Sequence, residues 1–109
     1  EIAPRVHNSG HLTINSHNIS QFENHIRAIC SMPLGDTQAK HAASAMINII
    51  GKNGDRNAVL SVHNAHLHMY GKSERANRKL GHINLFGESE QEMDTSLEGL
   101  SDFITECGF

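Results

Sequence analysis

The sequence predicts a small α+β fold in which helices flank an antiparallel sheet. Three observations carry this prediction. The chain has 109 residues, enough for a core of modest size. Two apolar stripes with helical spacing each follow a Ser-x-x-Glu motif, and three short β-type segments lie between them. Because short loops separate the later segments, we expect the strands to pair antiparallel rather than through long crossovers.

The first helix is predicted over residues 20–31. Ser20 and Glu23 have the spacing of a capping box, and Met32-Pro33 ends the helical pattern. An apolar stripe runs along this helix at three- and four-residue steps: Ile19, Phe22, Ile26 and Ile29. Cys30 lies beside the stripe, so we expect it to be a small buried hydrophobic residue.

The last helix is predicted to begin after Ser89, which forms a second capping box with Glu92. Acidic residues crowd its first turn, where the helix dipole favours them. The apolar positions continue as a single stripe: Met93, Leu97, Leu100 and Ile104.

Three segments are predicted to be strands: 46–50, 66–70 and 81–87. Alternation in the last two predicts one face in the core, formed by Leu67, Met69, Ile83 and Leu85. The opposite face, which we expect to be more exposed, carries His66, His68 and Asn84. Residues 58–63 are compatible with either a short helix or a strand.

Composition excludes several functional classes. The net charge is -3 with a pI near 6.3, and aromatic residues make up 5% without tryptophan, so a nucleic-acid-binding protein is not expected. No apolar run approaches the roughly 20 residues that span a bilayer. Two cysteines make no disulfide scaffold, which fits a reducing, intracellular compartment. Nine histidines suggest metal binding, but the chain has no CxxC or HExxH motif, which disfavours structural zinc.

The segment from Arg5 to His11 has the composition of a ligand-facing loop. It groups a cation, two imidazoles, an amide and a hydroxyl around Gly10. Such a segment cannot be buried without many hydrogen-bond partners. A hydrogen-bonded surface turn is an equally good interpretation of the pattern alone.

A second cluster contains four cations and one acid, in a chain that is otherwise acidic. It lies between two predicted strands and consists of Lys72, Glu74, Arg75, Arg78 and Lys79. Converging lysine and arginine donors suit a phosphate group. The alternative is a solvated charged loop without a ligand.

Together these segments resemble a known family. The sequence from Glu1 to His11, then Ser20-Gln21-Phe22-Glu23 and Leu34-Gly35-Asp36, resembles the closing part of the 5-(carboxyamino)imidazole ribonucleotide synthases, which are ATP-grasp enzymes. Residues 70–72 and 77–82 resemble the later phosphate-side motif of the same family. The match covers nearly the whole chain, in the right order and spacing.

The resemblance implies an ATP-dependent ligase that carboxylates 5-aminoimidazole ribonucleotide with bicarbonate through carboxyphosphate, using ATP and Mg²⁺. It implies Glu1 as a Mg²⁺ ligand. It also implies that Arg5 and His7 are catalytic and that Asn8 and Ser9 bind substrate in the aminoimidazole and carboxylation pocket. Lys72 and Arg78 would bind the ribonucleotide 5′-phosphate.

The family also implies a larger parent protein, in keeping with a chain that does not begin with Met. Residues 1–34 would end the ATP-grasp domain, and 35–109 would form a β-rich C-terminal domain related to that of biotin carboxylase. The N-terminal domain and the rest of the ATP-grasp domain are missing, so we expect the chain alone to be inactive. We expect residues 1–18 to be extended, or held by a neighbouring molecule, rather than folded on a core of their own. The parent is expected to be a cytoplasmic homodimer.

Three alternatives remain. The related formate-dependent glycinamide ribonucleotide transformylase carries a similar loop, but that loop typically continues Asp-Thr-Gly-Met, where this chain has Asn8-Ser9-Gly10-His11. A non-catalytic phosphate-binding module would keep the basic cluster without turnover. A structural or dimerisation domain would need neither site.

Overall fold

The chain divides into two compact units, Glu1–His41 and Ala42–Phe109. The structure is a computed structural model that describes residues 2–106. The predicted assignment of 1–34 and 35–109 to two domains of a parent protein stays a prediction. No helix among residues 2–106 is long and apolar enough to cross a lipid bilayer.

The first unit is built from short helices. A 3-10 helix, Asn8–Leu12, leads into α1, Thr13–Ser16, and α2 follows at Gln21–Ile29. Ser20 is the N-cap as predicted, because the Glu23 N–H donates to Ser20 Oγ at 3.0 Å, while the Glu23 carboxylate pairs with Arg27 at 2.6 Å. Residues 36–40 then run antiparallel to 16–19 through backbone hydrogen bonds.

The expectation that residues 1–18 are extended was wrong. Residues 8–16 form two consecutive helical turns, and these contact α2 within the same unit. Apolar anchors are few here, but polar side chains satisfy the backbone groups locally. One example is Thr13, whose hydroxyl donates to Gly10 O at 2.6 Å and accepts from the Gln21 N–H at 2.9 Å.

The apolar stripe of α2 is less buried than its pattern predicts. No residue of this helix is buried, and Ile26 and Ile29 are 54% and 65% exposed. Cys30, expected to be buried, is exposed at the C-cap. Amphipathic spacing specifies a helix, but the side chains are buried only where another element packs on that stripe.

The second unit contains a three-stranded antiparallel sheet, as the sequence predicts. Its strands are β1, Ala43–Ile50, β2, Ala65–Met69, and β3, Lys79–Gly87, in the order β1-β3-β2. Of the ambiguous segment 58–63, residues 58–60 belong to helix α3, Arg56–Leu60, which is capped by Asp55. Two further helices follow the sheet: α4, Glu90–Gly99, and α5, Ser101–Glu106.

The core of this unit lies on the helix-covered face of the sheet. Ile83 and Leu85 are buried, and Leu67 and Met69 pack against the core cluster, as predicted. Asn84 was expected to be exposed but is only 1% exposed. Its strand, β3, is the middle strand, so side chains of both neighbouring strands flank its second face as well.

The predicted single C-terminal helix is two helices. Ser89 is the N-cap as predicted, because its Oγ accepts from the Glu92 N–H at 3.1 Å, while the Glu92 carboxylate accepts from the Glu88 N–H at 3.0 Å. Helix α4 ends at Gly99, and Leu100 leaves the helical conformation with φ -102° and ψ 2° while remaining fully buried. Glycine is a weak helix former, so a break here costs little while Leu100 stays in the core.

Candidate functional site

His7 is placed by the cap of the 3-10 helix. Its Nδ1 accepts the Ser9 N–H at 3.2 Å and lies 2.9 Å from Ser9 Oγ. An Nδ1 that accepts from a backbone N–H carries no proton, so the ring proton of neutral His7 is on Nε2. The cap therefore makes Nε2 a hydrogen-bond donor.

The loop that carries His7 is anchored on α2. Gly10 is buried, and a Cβ at this position would contact Gln21 Oε1 and lie 2.8 Å from Val6 Cγ1. The next ring, His11, meets Phe22 of α2 edge to face, with centroids 5.2 Å apart. A larger residue at position 10 would therefore have to displace the side chains of Gln21 and Val6.

Three of the predicted site residues line one open cavity in this unit. Its volume is about 500 Å³, and Arg5, His7 and Asn8 contribute to its wall together with Ala3. Ser9 acts on the site indirectly, because its N–H and hydroxyl lie within hydrogen-bond distance of His7 Nδ1. A cavity bordered by a guanidinium, an Nε2–H donor and an amide can accept a small anionic or carboxylated ligand.

In the second unit, two lysine side chains meet over one aromatic ring. Lys72 Nζ lies 5.5 Å and Lys79 Nζ 5.8 Å from the centroid of Tyr70. Lys72 Nζ also donates to the backbone oxygen of Lys79 at 3.4 Å. Burial, together with the charge of Lys72, lowers the pKa of Lys79, and burial raises that of Tyr70. Two ammonium groups near one ring make this part of the β2–β3 connection strongly positive.

A register shift places Lys79 in this cluster. β1 pairs Ile49 with Gly81 but Ile50 with Lys79, so β3 carries one extra residue. That residue, Leu80, is fully buried in the core. A bulge of this kind changes which face each following side chain takes, and here it puts Leu80 in the core while Lys79 joins Tyr70.

Arg78 is held within the connection between β2 and β3. Its Nη1 donates to Ser73 O at 3.2 Å and to Ser73 Oγ at 3.0 Å. The backbone oxygen of Arg78 accepts from the Gly51 N–H at 2.8 Å, which ties this connection to the turn after β1. The guanidinium of Arg78 is thus held at Ser73, and Arg78 directly precedes Lys79 in the sequence.

The predicted residues are therefore grouped in two places, one in each unit. Arg5, His7 and Asn8 share a cavity, and Lys72 lies in the basic cluster of the β2–β3 connection. Sequence reasoning grouped Lys79 with the loop cations without a site role and gave Tyr70 none. The run Tyr70-Gly71-Lys72 already indicated that Tyr70 belongs with Lys72. Lys79 reaches the same ring only because of the bulge in β3.

The metal prediction falls on a residue that the structure does not describe. Glu1 lies outside residues 2–106, as does Cys107. Within the described part of the chain, no group of three or more His, Cys, Asp or Glu side chains is placed to hold a metal ion.

Two family profiles match the chain in the order in which the units occur. The ATP-grasp domain matches residues 1–22, and the phosphoribosylaminoimidazole carboxylase C-terminal domain matches residues 44–96. The N5-carboxyaminoimidazole ribonucleotide synthase of Vibrio vulnificus is 46% identical over 109 residues, which is 100% of this chain and 29% of that protein. The chain belongs to the N5-carboxyaminoimidazole ribonucleotide synthase family. Its match to these relatives lies in their C-terminal part.

Solved structures of this family share the fold. The synthetase of Thermus thermophilus is 47% identical with a TM-score of 0.90, over 98% of this chain and 29% of that one. The synthase of Aspergillus clavatus, solved with ADP and 5-aminoimidazole ribonucleotide, is 34% identical with a TM-score of 0.82, over 93% of this chain and 29% of that one. The chain thus spans about 29% of the length of these synthases. The resemblance to this family, and the predicted α+β class, are confirmed.

Proposed function

We propose that this chain is part of an ATP-dependent ligase that joins bicarbonate to the amino group of 5-aminoimidazole ribonucleotide in purine biosynthesis. Family membership carries this proposal, because relatives that match the whole chain bear the name of that synthase. The chosen reaction is favoured over formyl transfer because the loop reads Asn8-Ser9-Gly10-His11, and because the similar proteins described above are carboxylating synthases.

The proposed chemistry has two steps. A bicarbonate oxygen attacks the γ-phosphorus of ATP, which forms carboxyphosphate and releases ADP. The amino nitrogen of the ribonucleotide then attacks the carbon of carboxyphosphate, phosphate leaves, and the amine proton passes to solvent. Both steps concentrate negative charge, which cations and fixed hydrogen-bond donors stabilise.

His7 and Arg5 have the chemistry for the carboxylation step. With its proton on Nε2, neutral His7 donates a hydrogen bond to a carboxylate oxygen that gains charge as the bond to nitrogen forms. Arg5, on the same cavity wall, adds a permanent positive charge. Asn8 and Ser9 complete the proposed aminoimidazole side, Asn8 on the cavity wall and Ser9 by holding His7.

The second unit supplies the proposed phosphate site. A 5′-phosphate dianion is bound by charge-assisted hydrogen bonds from Lys72 and Arg78. Loop geometry supports this assignment, because Arg78 is fixed on Ser73 and Lys72 on the Lys79 backbone oxygen and the Tyr70 ring.

ATP and Mg²⁺ are assigned mainly to the rest of the protein. The adenine pocket and the glycine-rich phosphate loop are not in this sequence, and Glu1 is the one Mg²⁺ ligand proposed for this chain. Bound Mg²⁺ would neutralise the phosphates of ATP during transfer. The proposal also includes a homodimeric, cytoplasmic parent protein.

The 109-residue chain alone is expected to show no ATP hydrolysis with 5-aminoimidazole ribonucleotide and bicarbonate, because the proposed adenine and phosphate-loop parts are absent from it. Release of ADP by the purified chain, measured by a coupled assay against a buffer control, checks this. Turnover above background would contradict the assignment of ATP binding to the rest of the protein.

Lys72→Ala in the full-length enzyme tests the phosphate site. We expect the KM for 5-aminoimidazole ribonucleotide to rise about tenfold or more, as one charge-assisted hydrogen bond is lost. The KM for ATP should change by less than about twofold, since ATP is assigned elsewhere.

Lys52→Ala is the matched control for that variant, because Lys52 is an exposed lysine in the turn after β1. It should leave both KM values unchanged. Steady-state kinetics with each substrate varied in turn gives the KM for the ribonucleotide and the KM for ATP. An effect of Lys72→Ala confined to ATP, or an equal effect of Lys52→Ala, would reject Lys72 as a phosphate ligand.

A further inference from the structure

Two like charges lie near a single aromatic ring in the second unit. The ammonium groups of Lys72 and Lys79 lie 5.5 and 5.8 Å from the Tyr70 centroid, and Lys72 donates to the backbone oxygen of Lys79. Repulsion between them favours separation, especially for Lys72, whose side chain is exposed. The negative face of an aromatic ring offsets part of that repulsion, because it attracts both cations.

Tyr70 itself is fixed from two sides. Its backbone N–H donates to Leu80 O at 3.0 Å, which continues the β2–β3 pairing past the end of β2. Its hydroxyl is hydrogen-bonded to His82 Nδ1 at 2.5 Å. The His82 ring is 1% exposed and stacks on His68 with centroids 4.5 Å apart. Tyr70 is therefore anchored to the middle strand by hydrogen bonds that do not involve the lysine side chains.

We infer that Tyr70 is a positioning residue that holds the Lys72 and Lys79 ammonium groups together as a preformed site for the phosphate of the ribonucleotide. This inference rests on the proposed function of Lys72. Long lysine side chains lose rotamer freedom when they bind a ligand, and a ring that restricts them beforehand reduces this cost. A phosphate dianion then replaces repulsion between the two cations by attraction to both.

A cation–π interaction uses the ring and not the hydroxyl, so two substitutions separate the contribution of the Tyr70 ring from that of its hydroxyl. Tyr70→Leu in the full-length enzyme should raise the KM for 5-aminoimidazole ribonucleotide about tenfold while kcat stays within about twofold. Tyr70→Phe keeps the ring face and should stay within about threefold of the wild-type KM. Phe86→Leu, an aromatic-to-leucine change on the same sheet, serves as the control and should leave KM unchanged.

Three kinetic outcomes overturn the inference. They are an unchanged KM in Tyr70→Leu, a KM in Tyr70→Phe more than threefold above wild type, and an equal rise in Phe86→Leu. A Lys72→Ala variant without effect would instead reject the phosphate site itself, and the positioning role with it. A normal Lys72→Ala effect combined with a silent Tyr70→Leu rejects only the positioning role.

A spectroscopic test needs no variant of Tyr70, so it remains decisive if Tyr70→Leu fails to fold. Protons above an aromatic face are shielded, so the side-chain Hε resonances of Lys72 and Lys79 in the wild-type chain should lie upfield of those of Lys52. Assignment by Lys→Arg substitution at each position identifies the signals. Hε shifts of both residues equal to that of Lys52 would overturn the inference.

Discussion

His7→Asn in the full-length enzyme is expected to lower kcat about 100-fold, the loss typical when one donor to a developing negative charge is removed. Asparagine is among the best N-cap residues, and its Oδ1 can accept the Ser9 N–H in place of Nδ1. The loop should therefore keep its conformation, while the donor at Nε2 is lost. The variant separates the proposed catalytic role of His7 from its structural role.

The controls for this variant are a matched substitution and a stability measurement. His63→Asn makes the same change at an exposed histidine in the second unit and should retain wild-type kcat. The thermal midpoint of His7→Asn should stay close to that of the wild type. A normal kcat, or a loss of kcat that matches a loss of folded protein, would show that His7 serves only as a cap.

Leu85→Ala is expected to lower the free energy of unfolding of the second unit by about 2–5 kcal/mol, the range for a fully buried leucine. Leu85 is 1% exposed in the middle strand, and its partners in register are Ala45 and Ala65. Alanines on both sides have no longer side chain that could fill the space left by the leucine. The cavity should therefore stay open, which places the cost well above that of transfer alone.

The chain itself provides a probe for this measurement. Tyr70 is the single tyrosine and tryptophan is absent, so intrinsic fluorescence reports the second unit during urea unfolding. His66→Ala, at an exposed position of the same sheet, is the control and should change the free energy by less than about 0.5 kcal/mol. Equal losses in both variants would indicate that Leu85 contributes no more than a surface residue.

Local patterns in the sequence were enough for most secondary structure. Both predicted serine N-caps form, since Ser20 and Ser89 each accept the N–H three residues later. The antiparallel sheet also forms, because alternation and short connections are properties of the chain itself. Hydrogen bonds between residues close in sequence therefore explain why the helix starts could be predicted, and alternation within each segment explains why the strands could be predicted.

Burial could be predicted only in part, because it depends on which elements become neighbours. Asn84 is buried since β1 pairs with the other edge of β3, a contact between residues nearly forty positions apart. Ile29 and Cys30 follow a helical pattern yet remain exposed, because an apolar stripe does not specify a covering element. The N-terminal turns were missed because side-chain caps such as that of His7 leave no periodic signal.

In the candidate sites, too, the sequence determined some features and the tertiary structure decided others. The residue types and spacing of the sequence by itself determined the family, the loop around His7 and a basic cluster that includes Lys72. Only the tertiary structure decided which cations converge, because the extra residue in β3 reverses the side-chain alternation at Leu80 and Lys79. A bulge arises from the pairing of two strands and the packing of their side chains, and the order of residues in either strand alone does not specify it.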